Sequence, residues 1–170
     1  MTYPFLTEAI LVLVPLYVAN STAMLLGGKT PIDLNKKFFD KKPFLGKGKT
    51  FKGTIIGILA GIVAVLLVDF YFQGKVPIIS NYLLYGSLLS VGAILGDIIG
   101  SFFKRRFDIE RGKPVLLLDQ LDFVVIGILL GSAVHLISLQ LFLLICFITL
   151  VAHKASNFIA FKFKLKKVPW

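Results

Sequence analysis

Five stretches of about 20 mostly apolar residues, parted by segments that hold nearly every basic side chain, constrain this chain more than any other feature. They run over 5–26, 53–72, 78–103, 115–136 and 138–161. Of the 170 residues 56% are hydrophobic and only 16% charged, against about 25% charged in a typical soluble domain. A globule of this length buries roughly 70% of its unfolded surface and needs a charged exterior for the rest. Nine acidic residues cannot supply one. A soluble enzyme and a disordered tail are therefore excluded, and a lone cysteine, Cys146, excludes a disulfide scaffold. The expected fold is an all-α integral membrane protein, one polytopic domain over 1–170 with five transmembrane helices. Pro15 predicts a kink in the first span that neighbouring helices must accommodate, and His153 and Lys154 interrupt the last. Residues 1–6 lack the basic start of a cleaved signal peptide, so none is expected.

The charge distribution sets the expected orientation. A net charge of +10 invites a nucleic-acid reading, but the basic residues fall in blocks between apolar spans, as membrane topology requires. Loop 29–52 holds eight lysines, loop 104–114 five basic residues, and the segment from Lys154 onward five more. With five spans these share one side, leaving only Lys75 on the other; an even number of spans would divide them. The positive-inside rule then predicts an N-terminus outside, a cytosolic C-terminus and a multi-pass protein of the cell membrane. Glycines at four-residue spacing (Gly53, Gly57 and Gly61; Gly92, Gly96 and Gly100; Gly127 and Gly131) predict close helix packing in lipid. No internal repeat relates the halves, which weakens a secondary-transporter reading.

Charges inside a span are costly and usually functional. Asp97 lies seven residues inside the basic end of the third span, or roughly 10 Å deep. Asp119 and Asp122 lie at similar depth in the fourth, on one helical face. Three converging carboxylates need a counter-charge in a low dielectric. Oxygen-only ligands without histidine point to Mg²⁺ held by Asp97, Asp119 and Asp122. The alternative is a carboxylate paired with a loop Lys or Arg and no metal. Ser101, Lys104 and Arg105 continue the Asp97 face to the surface, with Arg106, Arg111 and Lys113 beyond. Acid below and base above suit a metal-bound polyphosphate, whereas the basic run alone would serve as a topogenic anchor near anionic headgroups.

The run Gly46-Lys47-Gly48-Lys49-Thr50 resembles a P-loop only superficially, since Pro43 stands where the Walker pattern needs glycine and no strand precedes it. Lys49, Thr50, Lys52 and Gly53 do fall at a helix N-terminus, a natural anion site, with helix capping as the alternative for Thr50. Asn20 in the first span, and His153 with Asn157 in the fifth, line the pocket or bridge helices. Glu8, Asp69 and His135 are expected at the outer interface. Lys36, Lys37, Lys41 and Lys42 are expected far from the site, as topogenic charges.

The run Asp97-x-x-x-Ser101-x-x-Lys104-Arg105 with Asp119-x-x-Asp122 downstream resembles the signature of CTP-dependent phosphatidate cytidylyltransferases. The intervening loop is shorter here, lacks a His-Gly-Gly element, and has Gln120 in place of an arginine. These departures fit the compact archaeal branch, the CDP-archaeol synthases, which the chain resembles end to end. The shared features are Gly46-x-Gly48-Lys49-Thr50-Phe51-Lys52-Gly53, Ser101-Phe102-Phe103-Lys104-Arg105-Arg106, Leu118-Asp119-Gln120-Leu121-Asp122-Phe123 and the Val168-Pro169-Trp170 ending.

What the resemblance implies is a Mg²⁺-dependent cytidylyltransferase joining CTP to 2,3-bis-O-(geranylgeranyl)glycerol 1-phosphate, giving CDP-archaeol and pyrophosphate in archaeal phospholipid synthesis. Its partners would be CTP, the isoprenoid ether-lipid phosphate and membrane lipids, with no nucleic acid. Asp97, Asp119 and Lys104 would be catalytic. Lys49, Thr50, Lys52, Gly53, Ser101, Arg105, Asn20 and Asn157 would bind substrate. An ion- or proton-coupled transporter using Asp97 and Asp119 is the alternative, against which the basic rim argues. A CTP-dependent polyprenol kinase, releasing CDP, is a third.

Overall fold

A computed structural model describes residues 2–109, 115 and 117–163. Arg111, Lys113 and the Val168-Pro169-Trp170 ending lie outside the described residues. Five helices follow in order: α1 (Thr2–Leu25), α2 (Phe51–Tyr71), α3 (Tyr82–Arg106), α4 (Leu118–Gly131) and α5 (Leu139–Lys162). Three begin on a residue whose oxygen accepts an N–H of the first turn: Thr50 from Gly53, Asn81 from Leu84 and Ser138 from Leu141. The last turn of α3 carries Lys104, Arg105 and Arg106, where cations complement the helix dipole.

The helices alternate in direction. Thr50 and Gly53 at the start of α2 lie against Gly27 and Ala23 at the end of α1, while Gly61 meets Ala19 and Ser90. Gly86 on α3 faces Val65 on α2, and the Tyr82 hydroxyl donates to the Leu11 carbonyl at 3.0 Å. α4 runs back along α3, with Gly131 near Tyr85 and Asp122 near Gly96 and Gly100. α5 returns against α1 and α4, where Leu141, Ile145 and Thr149 are fully buried. The chain thus passes through the bundle five times. Loop 29–50 and the ends of α3 and α4 share one end, and the turn holding Lys75 lies at the other.

Outward faces remain apolar: Leu67 and Phe70 on α2, Leu129 on α4 and Leu139 on α5 are exposed. Lipid chains solvate such side chains as well as a neighbouring helix does, so close backbone packing must hold the bundle together. The α3–α4 crossing shows how. A Cβ on Gly92 would overlap the Gly127 backbone, so the two glycines permit an approach no other residue allows.

Among the described residues four helices are long and apolar enough to cross a membrane: Pro4–Leu25, Phe51–Tyr71, Tyr82–Arg106 and Leu139–Ile159. The fourth expected span, 115–136, forms a helix only over Leu118–Gly131, which at 1.5 Å per residue covers about 21 Å of a roughly 30 Å hydrocarbon core. The reason lies after Gly131. The amides of Ala133 and Val134 bond to Leu130 and Gly131 in tighter i→i+3 turns, and the extended chain then brings His135 Nε2 to 2.8 Å from Glu8 Oε1 on α1. The third helix begins at Tyr82, four residues later than expected, with Ile78 in the left-handed backbone region at φ 75.

Candidate active site

The basic end is built by loop 29–50 folding onto the end of α3. Its base is clamped by Ile32 N to Lys49 O at 2.8 Å and Phe51 N to Thr30 O at 3.2 Å. Above the clamp sits Asp33, buried at 8% exposure. Its Oδ2 accepts from Leu45 N and Gly46 N at 2.9 and 2.8 Å, and its Oδ1 from Asn35 N at 3.0 Å. Burial alone would raise its pKa, but these backbone donors outweigh burial and hold it below the usual carboxylate value. From there 36–44 forms a small hairpin, with Phe44 N bonded to Lys36 O and Phe38 N to Lys42 O.

Arg106 anchors this hairpin to α3. Its guanidinium lies over the rings of Phe38 and Phe102 at 4.8 and 4.9 Å, a pair of cation–π contacts to two rings that themselves meet edge to face. Nη2 donates to Pro43 O at 2.5 Å, and Nε stands 3.2 Å from Asp40 Oδ2, out of hydrogen-bond alignment. Lys42 Nζ donates to Arg106 O at 3.0 Å and to Asp108 Oδ2 at 2.6 Å.

Between loop and helix lies a cleft of about 410 Å³, lined by Ser101, Lys104 and Arg105 from α3 and by Asn35, Lys37 and Lys49 among the loop residues. Two of its lysines are paired with aspartates. Lys49 Nζ lies 2.5 Å from Asp97 Oδ2, and Lys104 Nζ bonds both oxygens of Asp119 at 2.8 Å. Asp119 also accepts Val115 N at 3.1 Å. Both carboxylates keep 30% exposure. Asp122 accepts Phe123 N at 2.7 Å, and its carboxylate lies over Gly100, in a cradle that any Cβ would fill. The charges of Asp97, Lys49 and Asp119 all reach it. Arg105 donates through Nη1 to Ile109 O at 2.5 Å, and its Nε lies against the open face of Gly46, buried and without a hydrogen-bond partner among the described residues. A buried guanidinium donor of that kind is open to an anion.

The expected site residues therefore divide. Asp97, Asp119, Ser101, Lys104, Arg105 and Lys49 come together, although Lys49 precedes α2, Asp119 lies in α4 and the rest lie in α3. The expected cage of three carboxylates takes another form: among the described residues no three acid, histidine or cysteine side chains stand ready to hold a metal. Lysines supply the counter-charge to two of them, as in the alternative the sequence left open. Thr50 takes the capping role left open for it, since its buried Oγ1 accepts Gly28 N at 2.9 Å and Gly53 N at 3.2 Å. Gly53 faces the Ala23 carbonyl rather than the cleft, and exposed Lys52 lies along Gly28. Asn20 is half-buried on α1 away from the cleft lining. Asn157 is half-buried one turn beyond His153, whose ring lies 6.1 Å from that of Phe123.

One expectation is corrected. Lys37 and Lys42 are not remote, because the hairpin folds back: Lys37 lines the cleft and Lys42 is locked to the end of α3. Sequence reasoning also missed Asp33 and Asn35. The available signal was an acid standing alone between Lys29 and Lys36.

The chain matches the family model described as CarS-like, CDP-archaeol synthase, over residues 2–170. It is 41% identical to the CDP-archaeol synthase of Methanocaldococcus jannaschii, with all of both chains covered. It is 40% identical to that of Pyrococcus horikoshii, with 97% of each chain covered. A solved structure of an intramembrane enzyme for archaeal membrane lipids biosynthesis is similar with TM-score 0.80 and 33% identity, covering 88% of this chain and 92% of that one.

Proposed function

The chain belongs to the CDP-archaeol synthase family, and from that premise we infer that its basic-end cleft transfers the cytidylyl group of CTP to an isoprenoid glycerol phosphate, releasing pyrophosphate. The family match lends a transporter reading no support. One observation carries the assignment of the cleft. Lys49, Lys104 and the Arg105 Nε, without a partner among the described residues, line one space, with the two lysines tied to carboxylates that keep 30% exposure.

Lys49, Lys104 and Arg105 bind the triphosphate by charge-assisted hydrogen bonds, and Ser101 adds a hydroxyl on the same face. The lipid phosphate is already an anion, so its oxygen attacks the α-phosphorus without a strong general base, and the α–β bond breaks to free pyrophosphate. Rate comes from holding nucleophile and leaving group in line and from stabilising charge on the leaving oxygens. Mg²⁺ fits the residues present: it takes oxygen ligands, and one or two carboxylates plus substrate phosphates suffice, so no ready-made cage is needed. Asp97 and Asp119 would hold it, with Asp122 in its Gly100 cradle beside them. The bound ion would neutralise charge on the α-phosphate and the leaving pyrophosphate. Lys49 and Lys104, freed from their carboxylates by that cation, would turn to phosphate oxygens.

The same reading places the basic end in the cytosol, where CTP is found, with α4 and the turn after it completing a fifth crossing of the cell membrane. The test is pyrophosphate release from CTP by the purified protein, with and without Mg²⁺ and the lipid phosphate. Asp97→Asn keeps the shape but loses the charge, so turnover should collapse while the protein still inserts and folds. Near-normal Mg²⁺-dependent turnover in that variant would overturn the assignment.

A further inference from the structure

The hairpin over 36–44 carries a feature that the cleft does not use. Its turn is closed by Lys41 N on Phe38 O and Phe38 N on Lys42 O, both at 2.9 Å, which leaves Phe39 and Asp40 at the tip. Turn tips favour glycine, proline, asparagine, aspartate and serine. Phe39 stands there instead, 95% exposed, the most open large apolar side chain among the described residues. We propose that this tip is an interfacial anchor: Phe39 dips into the lipid layer at the basic end, while Lys36 and Lys41 hold anionic headgroups. The surface lies outside the cleft, so the inference stands whatever reaction the cleft performs.

A single exposed ring is ordinary on a protein surface. Here the ring ends a row that starts on a span. Phe103 is exposed on α3, within a helix long and apolar enough to cross a membrane. Its ring meets Phe102 at 5.7 Å, Phe102 meets Phe38 at 5.4 Å, and Phe38 meets Phe39 at 5.0 Å, each edge to face. The rings thus step from the outer side of α3 to the hairpin tip. Phe107, one helical turn past Phe103, is exposed as well. Arg106 fixes the hairpin beside this row, because it packs against Phe38 and Phe102 and donates to Pro43 O.

The charges around the tip complete the match. Its acids are already taken up, Asp40 by Arg106 and Asp108 by Lys42. Lys36 and Lys41 are exposed and form no ion pair among the described residues. Long lysine stems lie along apolar surface while the ammonium groups reach polar headgroups. An exposed ring with a positive rim fits an anionic bilayer surface, the ring supplying burial and the lysines attraction. A soluble acidic protein would match the lysines, but it would have to reach a ring held beside a membrane span.

The experiment places a tryptophan at the tip. Phe39→Trp in a Trp170→Phe background, which removes the native tryptophan, is reconstituted as the full chain in two kinds of vesicle. One is phosphatidylcholine alone and the other an equal mixture with phosphatidylglycerol, part of the phosphatidylcholine in each carrying brominated chains. The tip tryptophan should be quenched by the bromines and shielded from aqueous acrylamide, as a Phe103→Trp reference should be, and more so in the anionic vesicles. Adding Lys36→Gln and Lys41→Gln should weaken the anionic advantage about fivefold per lysine in the insertion equilibrium, and high salt should act in the same direction. All four side chains are exposed, so the variants should fold. Free access of acrylamide without bromine quenching would put the tip in water and overturn the anchor. Shielding without bromine quenching would assign the tip to a second protein copy and overturn it too. Equal quenching in both vesicles, unmoved by the lysine variants, would overturn the headgroup contact of Lys36 and Lys41.

Discussion

Lys104 and Lys36 carry the same charge, yet the structure gives them different surroundings. Lys104 is largely buried and bonds both oxygens of Asp119 beside the cleft, while Lys36 is exposed. Removing a phosphate contact from a desolvated site costs about 2 to 4 kcal/mol of transition-state stabilisation, or roughly 30- to 1000-fold in rate. A surface lysine near an anionic leaflet is worth about 1 kcal/mol, screened by salt. At saturating lipid, Lys104→Ala should therefore lose far more turnover than Lys36→Ala, and comparable losses would place the nucleotide on the wrong loop. Thr50 tests the boundary between binding and support. Thr50→Ala should lower stability by roughly 0.5 to 2 kcal/mol through its lost cap, read as thermal unfolding in detergent. Thr50→Ser should restore it, and KM for CTP should hardly move in either. A large rise in KM with unchanged stability would return Thr50 to the phosphates.

At the scale of elements, two junctions hold the site in place. The α3–α4 crossing at Gly92 and Gly127 brings Asp119 and Asp122 alongside Asp97. Gly92→Leu should force the helices apart, since its Cβ would overlap the Gly127 backbone, with overpacking typically costing about 1 to 3 kcal/mol. Leu129→Ala, on the exposed face, should cost much less, and equal losses of thermal stability would mean that the crossing is not the tight one. The second junction is Asp33, which ties Asn35 to Leu45 and Gly46. Its pKa is held below the ordinary carboxylate value near 3.8, so its contribution is complete above that pH. It falls away as acid protonates the group at its lowered folded value. Proteolysis of loop 29–50 should rise at low pH in wild type. Asp33→Asn, which puts a donor where two N–H groups point, should be susceptible at every pH. Equal protection of the two at neutral pH would contradict the tie.

For the whole molecule, the expected consequence is topological. Lys36 and Lys75 lie at opposite ends of a bundle that the chain crosses five times. In a Cys146→Ser background, single cysteines at the two positions should react with an impermeant reagent from opposite faces of sealed vesicles. Labelling of both from one side would mean that α2, the one helix between them, does not cross the membrane.

Membrane class and the all-helical fold were legible in the chain, because hydropathy acts locally and needs no tertiary context. The aspartates and the Ser101, Lys104, Arg105 face were legible too, since a charge in an apolar span stands out and helical period places its neighbours. Loop 29–50 was not. Nothing in its lysine-rich composition distinguishes Lys36, which is exposed, from Lys37 in the cleft or Lys42 on the end of α3. That difference arises from a hairpin pinned by one buried carboxylate and by one guanidinium packed against two phenylalanines. Likewise, glycine spacing foretold close packing, but only the crossing of α3 and α4 settles which backbone each glycine meets. The shortening of α4 follows from where His135 must go to reach Glu8, 127 residues away in sequence. Local periodicity carries no information on contacts that distant, and the packed bundle alone decides them.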